Sequence, residues 1–449
     1  MIHYTIISIF YFMTYYYVLN DMFDAYSLVI LAMIFFQFFS VKNSVYILAL
    51  GIFVPFFDSI PILGNESLTL QRAALIPFLI QITNKSRIRR FNMNNNNVFN
   101  LLISAILFVA IFNVLQVNFD IANHKSFTPI RLLGYTADIV TVLFFFYYIF
   151  TRLDENSIKK IFDIFLFIII LEGISILLLI AYNPQYLYSS LGHEFRVTTV
   201  ERNPFFGTRN SWGLLFSFTF LITFIRFQME RIKNLDWLNM LTMIVSIMVV
   251  TLSLSRRAYF LIVIGITFIL LYQRKFKPFL ITGSIIGILS MLPLDFILLR
   301  LESILQAKSF EDLRYASSGQ LYVEATNQFL NNITLIPNAL SGNTYTRNFS
   351  ESLWSGVLYR QGVLGLFFQF FLLFKIFTRY KINPEKLDIN LGIFVLIMKL
   401  IAFVFFIMGF ITTTCYFINY IGLIQQIGIM ALFLFFYTEL MLYNYGNNK

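Results

Sequence analysis

The sequence predicts an all-α polytopic membrane protein from its composition, the clustering of its apolar residues and its charge. Of the 449 residues, 58% are hydrophobic and 12% are charged, whereas about 25% of the residues in a soluble domain are charged. Apolar residues form long runs such as 98–117 and 161–182, and ~20 such residues suffice to cross a bilayer as a helix. The formal net charge of +10 is typical of a protein with basic cytoplasmic loops. This composition excludes soluble enzymes, nucleic-acid-binding proteins and disulfide-rich secreted domains.

The apolar runs predict about 14 transmembrane helices, within a range of 12–14. The predicted spans are 2–19, 25–41, 44–58, 68–83, 98–117, 132–151, 161–182, 212–228, 238–254, 257–273, 278–296, 353–375, 389–412 and 418–440. The fourth contains Gln71 and Arg72, so a re-entrant or interfacial helix is the alternative there. The first lacks a basic n-region and a clear cleavage site, so we expect a span rather than a removed signal peptide.

The basic loops set the predicted orientation. With 14 spans, the loops that contain residues 85–90, 152–160, 231–233, 274–277 and 375–386 all lie on one side of the bilayer. The positive-inside rule makes that side cytoplasmic and places both termini there.

Two segments on the outer side are too long to be turns, and loops of this length are usually functional or disordered. The second of them is too apolar for disorder. The sequence therefore predicts, in order, N-terminal helices, a first large outer loop, central helices, a second large outer loop and C-terminal helices, at 1–182, 183–211, 212–296, 297–352 and 353–449.

The outer loops are rich in arginine, against the positive-inside expectation. Of the 13 basic residues predicted outside, 11 are arginines, and the guanidinium group binds phosphate or carboxylate through two points. They are Arg72, Arg131, Arg196, Arg202, Arg209, Arg256, Arg257, Arg300, Arg314, Arg347 and Arg360. A phosphorylated ligand at the outer membrane face would explain them. The alternative is a set of structural ion pairs with Glu194, Glu201, Glu302, Asp312 and Glu351.

Arg256 and Arg257 stand at the predicted start of a span, directly after Ser255. Adjacent arginines at a membrane boundary are costly unless they are solvated or paired. Ser253 or Ser255 is expected to cap the new helix, and a helix N-terminus adds positive partial charge that suits a pyrophosphate. The alternative is a pair of snorkelling interface anchors.

No metal or cofactor site is predicted. Cys415 is the single cysteine, which excludes a thiolate cluster, and the three histidines lie far apart in the sequence. Glu172 and Lys399 fall within predicted spans, where ionisable groups are functional suspects. They could pair with each other, mark a lipid-entry groove or reflect misplaced span ends.

Three sequence features together carry a resemblance to a known family. Ser255-Arg256 opens a span, Arg314 precedes a predicted helix and Leu335-Ile336-Pro337, and Glu351-Ser352-Leu353-Trp354 runs into Gly362-Val363-Leu364-Gly365. In these motifs and in its two large outer loops, the chain resembles the bacterial O-antigen polymerases (Wzy-type) and the related O-antigen ligases. Arg196 and Gly207 also match an Arg-x10-Gly spacing of some polymerases.

The resemblance implies a GT-C-like glycosyltransferase, a membrane-embedded enzyme without metal or cofactor. Its substrate would be an undecaprenyl-diphosphate-linked oligosaccharide at the periplasmic face of the bacterial inner membrane. The sequence has no Asp-x-Asp motif for a metal-bound nucleotide sugar. A chain-length-determining protein is the expected partner, besides the lipid bilayer, and no nucleic acid is expected.

The resemblance also suggests roles for residues of the outer loops. Arg256 and Arg314, assisted by Arg257, would hold the donor pyrophosphate, because guanidinium groups and helix N-termini stabilise developing charge. Arg196, Arg202 and Arg347 would bind the acceptor's phosphates or glycan. Glu351 would deprotonate the acceptor hydroxyl as a general base, unless it pairs with Arg347 or Arg360. Four loop aromatics could stack on sugars or serve as core or interface anchors, namely Tyr315, Tyr322, Trp354 and Tyr359.

Two alternative functions remain open. An O-antigen ligase would transfer finished glycan to lipid A–core, but ligases of this family place a His where Glu351 stands, and the second outer loop has no His. A flippase or transporter should carry charges along a central path, whereas the charges here gather in the outer loops.

Overall fold

The computed structural model of the chain describes its residues 2–20, 22–54, 62, 69–85, 100–108, 111, 129–182, 209–229, 237–253, 255–273, 335–336, 352–379, 389–412, 415–417 and 425–447. This part of the chain is almost entirely helical and contains no β-strand. Within it, five helices are long and apolar enough to cross a membrane. The predicted all-α membrane protein is therefore confirmed at this coarse level.

The helices are labelled in chain order. They are α1 (Ile2–Leu19), α2 (Phe23–Phe36), α3 (Val41–Phe53), α4 (Leu70–Ala73), α5 (Leu75–Lys85), α6 (Pro129–Arg152), α7 (Glu155–Tyr182), α8 (Arg209–Met229), α9 (Trp237–Ser253), α10 (Arg256–Gln273), α11 (Leu353–Arg379), α12 (Ile389–Met408) and α13 (Gln426–Asn447). A 3-10 turn, Gln37–Phe39, continues α2, and residues 100–108 are also helical. The predicted span 278–296 lies outside the described residues.

The last helix begins later than the sequence pattern predicts. We expected a span over 418–440, whereas α13 runs Gln426–Asn447. Near its start, α13 packs closely on the segment before it, because a Cβ on Gly428 would lie 2.3 Å from the carbonyl oxygen of Phe417. The apolar residues before Gln426 extend the predicted span toward the N-terminus, but α13 does not include them. Both predicted ends of this span are therefore wrong by several residues.

The predicted fourth span is a broken helix, α4 followed by α5, and Arg72 on α4 has a structural partner. The guanidinium of Arg72 binds the carboxylate of Asp138 on α6 through two hydrogen bonds of 2.8 and 2.9 Å. Gly134 leaves the room for it, since a Cβ there would lie 2.8 Å from the guanidinium nitrogen Nη2. Arg72 is thus accounted for by a carboxylate that the sequence reasoning did not consider.

Phenylalanine rings fill the core between α6, α7 and α13. The Phe433 ring lies within 5.3–6.1 Å of the rings of Phe146, Phe150, Phe162 and Phe165, centre to centre. Edge-to-face and offset contacts of this kind add to the stability gained from burial. Helix α8 packs against α9, α10 and α12, and this places the α9–α10 junction against a fixed neighbour.

Candidate functional site

The junction between α9 and α10 is a tight turn held by two serines. The hydroxyl of Ser253 donates to the carbonyl of Val250 at 2.7 Å and accepts from the backbone N–H of Ser255 at 3.2 Å. The hydroxyl of Ser255 in turn accepts from the backbone N–H of Ala258 at 3.4 Å. Ser255, one of the two serines expected to cap α10, is therefore its N-cap, and it satisfies one of the free N–H groups of the first turn.

Helix α8 supports this junction from behind. A Cβ on Gly213 would lie 2.8 Å from the hydroxyl oxygen of Ser253, so only glycine allows α8 to approach so closely. One turn further along α8, the hydroxyl of Ser217 donates to the carbonyl of Ala258 at 3.0 Å. These contacts fix the position of the first turn of α10, which begins with Arg256 and Arg257.

Arg257 lies close to the segment that follows α12. Burial raises the pKa of the Cys415 thiol well above its ordinary value, and the positive charge of Arg257 acts in the opposite direction as the smaller effect. Cys415 is completely buried. The charge of Arg257, in the first turn of α10, therefore acts on a segment that is packed into the protein.

The start of α11, which follows the predicted second outer loop, is anchored at the end of α12. The hydroxyl of Ser352 donates to the carbonyl of Gly409 at 3.0 Å, and the backbone N–H of Trp354 donates to the same oxygen at 3.2 Å. The indole nitrogen of Trp354 donates to the carbonyl of Phe406 at 2.9 Å. Ser352 also accepts from the backbone N–H of Ser355 at 3.4 Å and so caps α11.

Helix α11 is interrupted at Gly362, whose φ of 70° and ψ of −174° are not helical. Residues of the second outer loop fill the break, because the backbone N–H of Leu364 donates to the carbonyl of Leu335 at 3.2 Å. A Cβ on Gly362 would lie 2.7 Å from the carbonyl oxygen of Ile336. The predicted loop exit is therefore a short helix, a glycine break and a membrane-length helix, with loop residues docked at the break.

Tyr416 contacts α11 through both its ring and its hydroxyl. Its ring lies 5.3 Å from that of Trp354, and its hydroxyl donates to Oε1 of Gln369 at 2.6 Å. Cys415 precedes it in the chain, and the charge of Arg257 in the first turn of α10 acts on Cys415. We call the set Ser255, Arg257, Ser352, Trp354, Cys415 and Tyr416 the outer cluster.

Of the residues predicted to bind or catalyse, the structure describes the side chain of Arg257 and the backbone of Arg256. Glu351 lies outside the described residues, although it directly precedes the anchored Ser352. Four further predicted residues also lie outside them, namely Arg196, Arg202, Arg314 and Arg347. Trp354 is only 3% exposed. Its ring therefore packs in the core, as the alternative to sugar stacking expected. In the described part of the chain, no three His, Cys, Asp or Glu side chains are grouped to hold a metal.

The two ionisable residues predicted within spans do not pair with each other. The amide of Gln426, at the start of α13, donates to both carboxylate oxygens of Glu172 at 2.8 and 3.0 Å and to the carbonyl of Phe53 at 2.7 Å. The ammonium of Lys399 donates to the hydroxyl of Tyr272 at 2.5 Å. Sequence reasoning missed both partners, because each comes from a distant helix and is neutral.

No family model, curated protein or solved structure matches the chain at a significant level.

Proposed function

We propose that the protein is an O-antigen or related surface-polysaccharide polymerase of the bacterial inner membrane. It joins lipid-diphosphate-linked oligosaccharide repeat units at the periplasmic face by inverting glycosyl transfer without a metal. Its termini lie in the cytoplasm, and a chain-length-determining protein is its partner. The observation that supports the proposal is the outer cluster, in which the charge of Arg257 acts on Cys415 and the neighbouring Tyr416 packs on Trp354.

The chemistry requires a positive site for a leaving diphosphate. An acceptor hydroxyl attacks the anomeric carbon of the donor sugar, the bond from that carbon to the phosphate oxygen breaks, and the lipid diphosphate departs with the negative charge. The capped start of α10 offers the partial positive charge of a helix N-terminus beside a guanidinium. Charge placed in advance where negative charge develops lowers the barrier.

The remaining roles follow the resemblance. Arg256 and Arg314 hold the donor diphosphate with Arg257, and Arg196, Arg202 and Arg347 bind the acceptor. Glu351 accepts the proton of the attacking hydroxyl. The anchoring of Ser352 on Gly409 supports this role, because a general base acts only when its position is fixed within hydrogen-bond reach of the hydroxyl.

A lipopolysaccharide gel of variants in the native host tests the proposal. Arg256→Ala, Arg257→Ala, Arg314→Ala and Glu351→Gln should reach the membrane in normal amounts but give core with a single repeat unit. Lys160→Ala changes an exposed residue near the start of α7. It is the matched control and should give normal long chains. Normal chain length from the arginine variants would exclude their diphosphate role. Loss of all repeats would identify the ligase alternative instead.

A further inference from the structure

Glu172 places a buried carboxylate in the middle of α7, a helix that is long and apolar enough to cross a membrane. Its side chain is 1% exposed. It lies ten residues before the end of α7 at Tyr182, which is about 15 Å along a helix. Half the thickness of the hydrocarbon core of a bilayer is also about 15 Å. A charge at this depth is costly unless an opposite charge balances it.

The partners of Glu172 in the described part of the chain carry no positive charge. Both carboxylate oxygens accept from the amide nitrogen Nε2 of Gln426, at 2.8 and 3.0 Å. No basic side chain among the described residues forms an ion pair with Glu172. A carboxyl group whose two oxygens both act as acceptors has the arrangement of the ionised form. The negative charge of Glu172 is therefore left for a bound ion to balance.

A third oxygen faces the same point, because two helices end there. Helix α3 ends at Phe53, whose carbonyl oxygen lies 2.7 Å from Nε2 of Gln426. Gln426 is the first residue of α13. The carbonyls at the end of a helix carry partial negative charge, and the N–H groups at the start of a helix carry partial positive charge. The two helix ends thus offset each other beside Glu172, and one full negative charge remains.

The amide of Gln426 has an oxygen as well as a nitrogen to offer to this point. Its NH₂ group faces three oxygens in the structure, two from Glu172 and one from Phe53, although it has only two hydrogens. A half turn of the amide brings its own oxygen to the same side, and four oxygens then surround one small space. Carboxylate oxygens and the carbonyls at helix ends bind Na⁺ within membrane proteins.

We propose that Glu172, Gln426 and the carbonyl of Phe53 form a binding site for Na⁺. One carboxylate balances one positive charge, so a monovalent cation suits the site and a divalent cation would leave an excess charge in the apolar interior. The three oxygens all lie within 3.0 Å of a single atom, which leaves room for Na⁺ rather than the larger K⁺. Gln426 is only partly buried, so the ion can enter on its side.

Bound Na⁺ joins α3, α7 and α13 at one point, and the first turn of α13 extends this contact to the outer cluster. A Cβ on Gly428, two residues after Gln426, would lie 2.7 Å from the carbonyl oxygen of Tyr416. The ion therefore holds the start of α13 against the segment that contains Tyr416. The site is separate from the residues proposed for glycosyl transfer, and its test does not depend on that activity.

Binding of radioactive Na⁺ to the purified full chain in detergent tests the site. Wild-type protein should bind Na⁺ with saturation, and K⁺ should compete at least about tenfold more weakly than unlabelled Na⁺. Glu172→Gln keeps the size of the side chain but removes its charge, and it should weaken Na⁺ binding at least about tenfold. Asp24→Asn makes the same change at an exposed position on α2 and should bind Na⁺ as the wild-type protein does.

The melting temperature of the wild-type protein gives a second readout that needs no variant. An ion that binds only the folded state stabilises it, so the protein should melt at a higher temperature in NaCl than in KCl of the same concentration. No saturable Na⁺ binding, equal Na⁺ binding by folded Glu172→Gln, or equal melting temperatures in the two salts would overturn the Na⁺ site. None of these results changes the polymer phenotype expected of Arg257→Ala, so the Na⁺ site and the proposed activity stand or fail separately.

Discussion

Trp354 and Gly409 are in direct contact: the backbone N–H of Trp354 donates to the carbonyl of Gly409, and the indole occupies the space beside it. A Cβ on residue 409 would lie 2.3 Å from the ring carbon Cε2 of Trp354. Phe370 and Tyr416 pack on the same ring, so the indole has no free side toward which to move. This contact positions the start of α11, which directly follows the predicted second outer loop.

Gly409→Ala should therefore destabilise the outer cluster. Overpacking of this kind costs typically 1–3 kcal/mol, which we expect as a clear drop in melting temperature in detergent and a loss of long polymer. Leu178→Ala, a truncation of an exposed residue on α7, creates no clash and serves as the control. An unchanged melting temperature for Gly409→Ala would contradict the packing described for Trp354.

Gly362→Ala should release the outer loop from the break in α11. The φ of 70° at this position disfavours any residue with a Cβ by roughly 1–2 kcal/mol, and the Cβ would also meet the carbonyl of Ile336. We expect faster cleavage of the second outer loop by protease added to spheroplasts. Leu364→Ala keeps the backbone bond to Leu335 and should be cleaved at the wild-type rate. Equal cleavage of both variants would argue against docking of the loop at the break.

The Glu172–Gln426 contact should behave as a coupled pair. Gln426→Leu leaves the buried Glu172 carboxyl without its amide donor and should cost about 1–2 kcal/mol. Glu172→Leu with Gln426→Leu removes both polar groups and should be more stable than Gln426→Leu alone. Melting temperatures of the two single variants and the double variant form the cycle. Additive effects would show that the two side chains do not interact.

Cys415 should be unreactive in the folded protein. Burial, the dominant effect, raises the pKa of its thiol above the ordinary value, so thiolate is scarce at neutral pH and the reagent has no access. We expect a mass-tagged maleimide at pH 7.5 to modify Cys415 only after denaturation. Labelling of intact cells at the rate of an exposed cysteine would contradict the burial of the 415–417 segment.

The sequence predicts the helical spans far better than it predicts the contacts between them. Hydropathy marks α8, α9 and α10 within a few residues, since long apolar runs leave few alternatives. The capping role of Ser255 is also predictable, because it depends on neighbours in the chain. The Arg72–Asp138 pair and the Glu172–Gln426 contact are not, because each depends on a residue on a distant helix. Hydropathy likewise missed the break at Gly362, which depends on Leu335 and Ile336.

Purified protein in liposomes, supplied with the host's own lipid-diphosphate-linked repeat unit, tests the central claim most directly. Product masses should show chains of two or more repeats still attached to lipid diphosphate, in the presence of EDTA, and Arg257→Ala should give almost none. Transfer of glycan to lipid A–core alone, or no transfer by wild-type protein that retains its melting temperature, would contradict a polymerase.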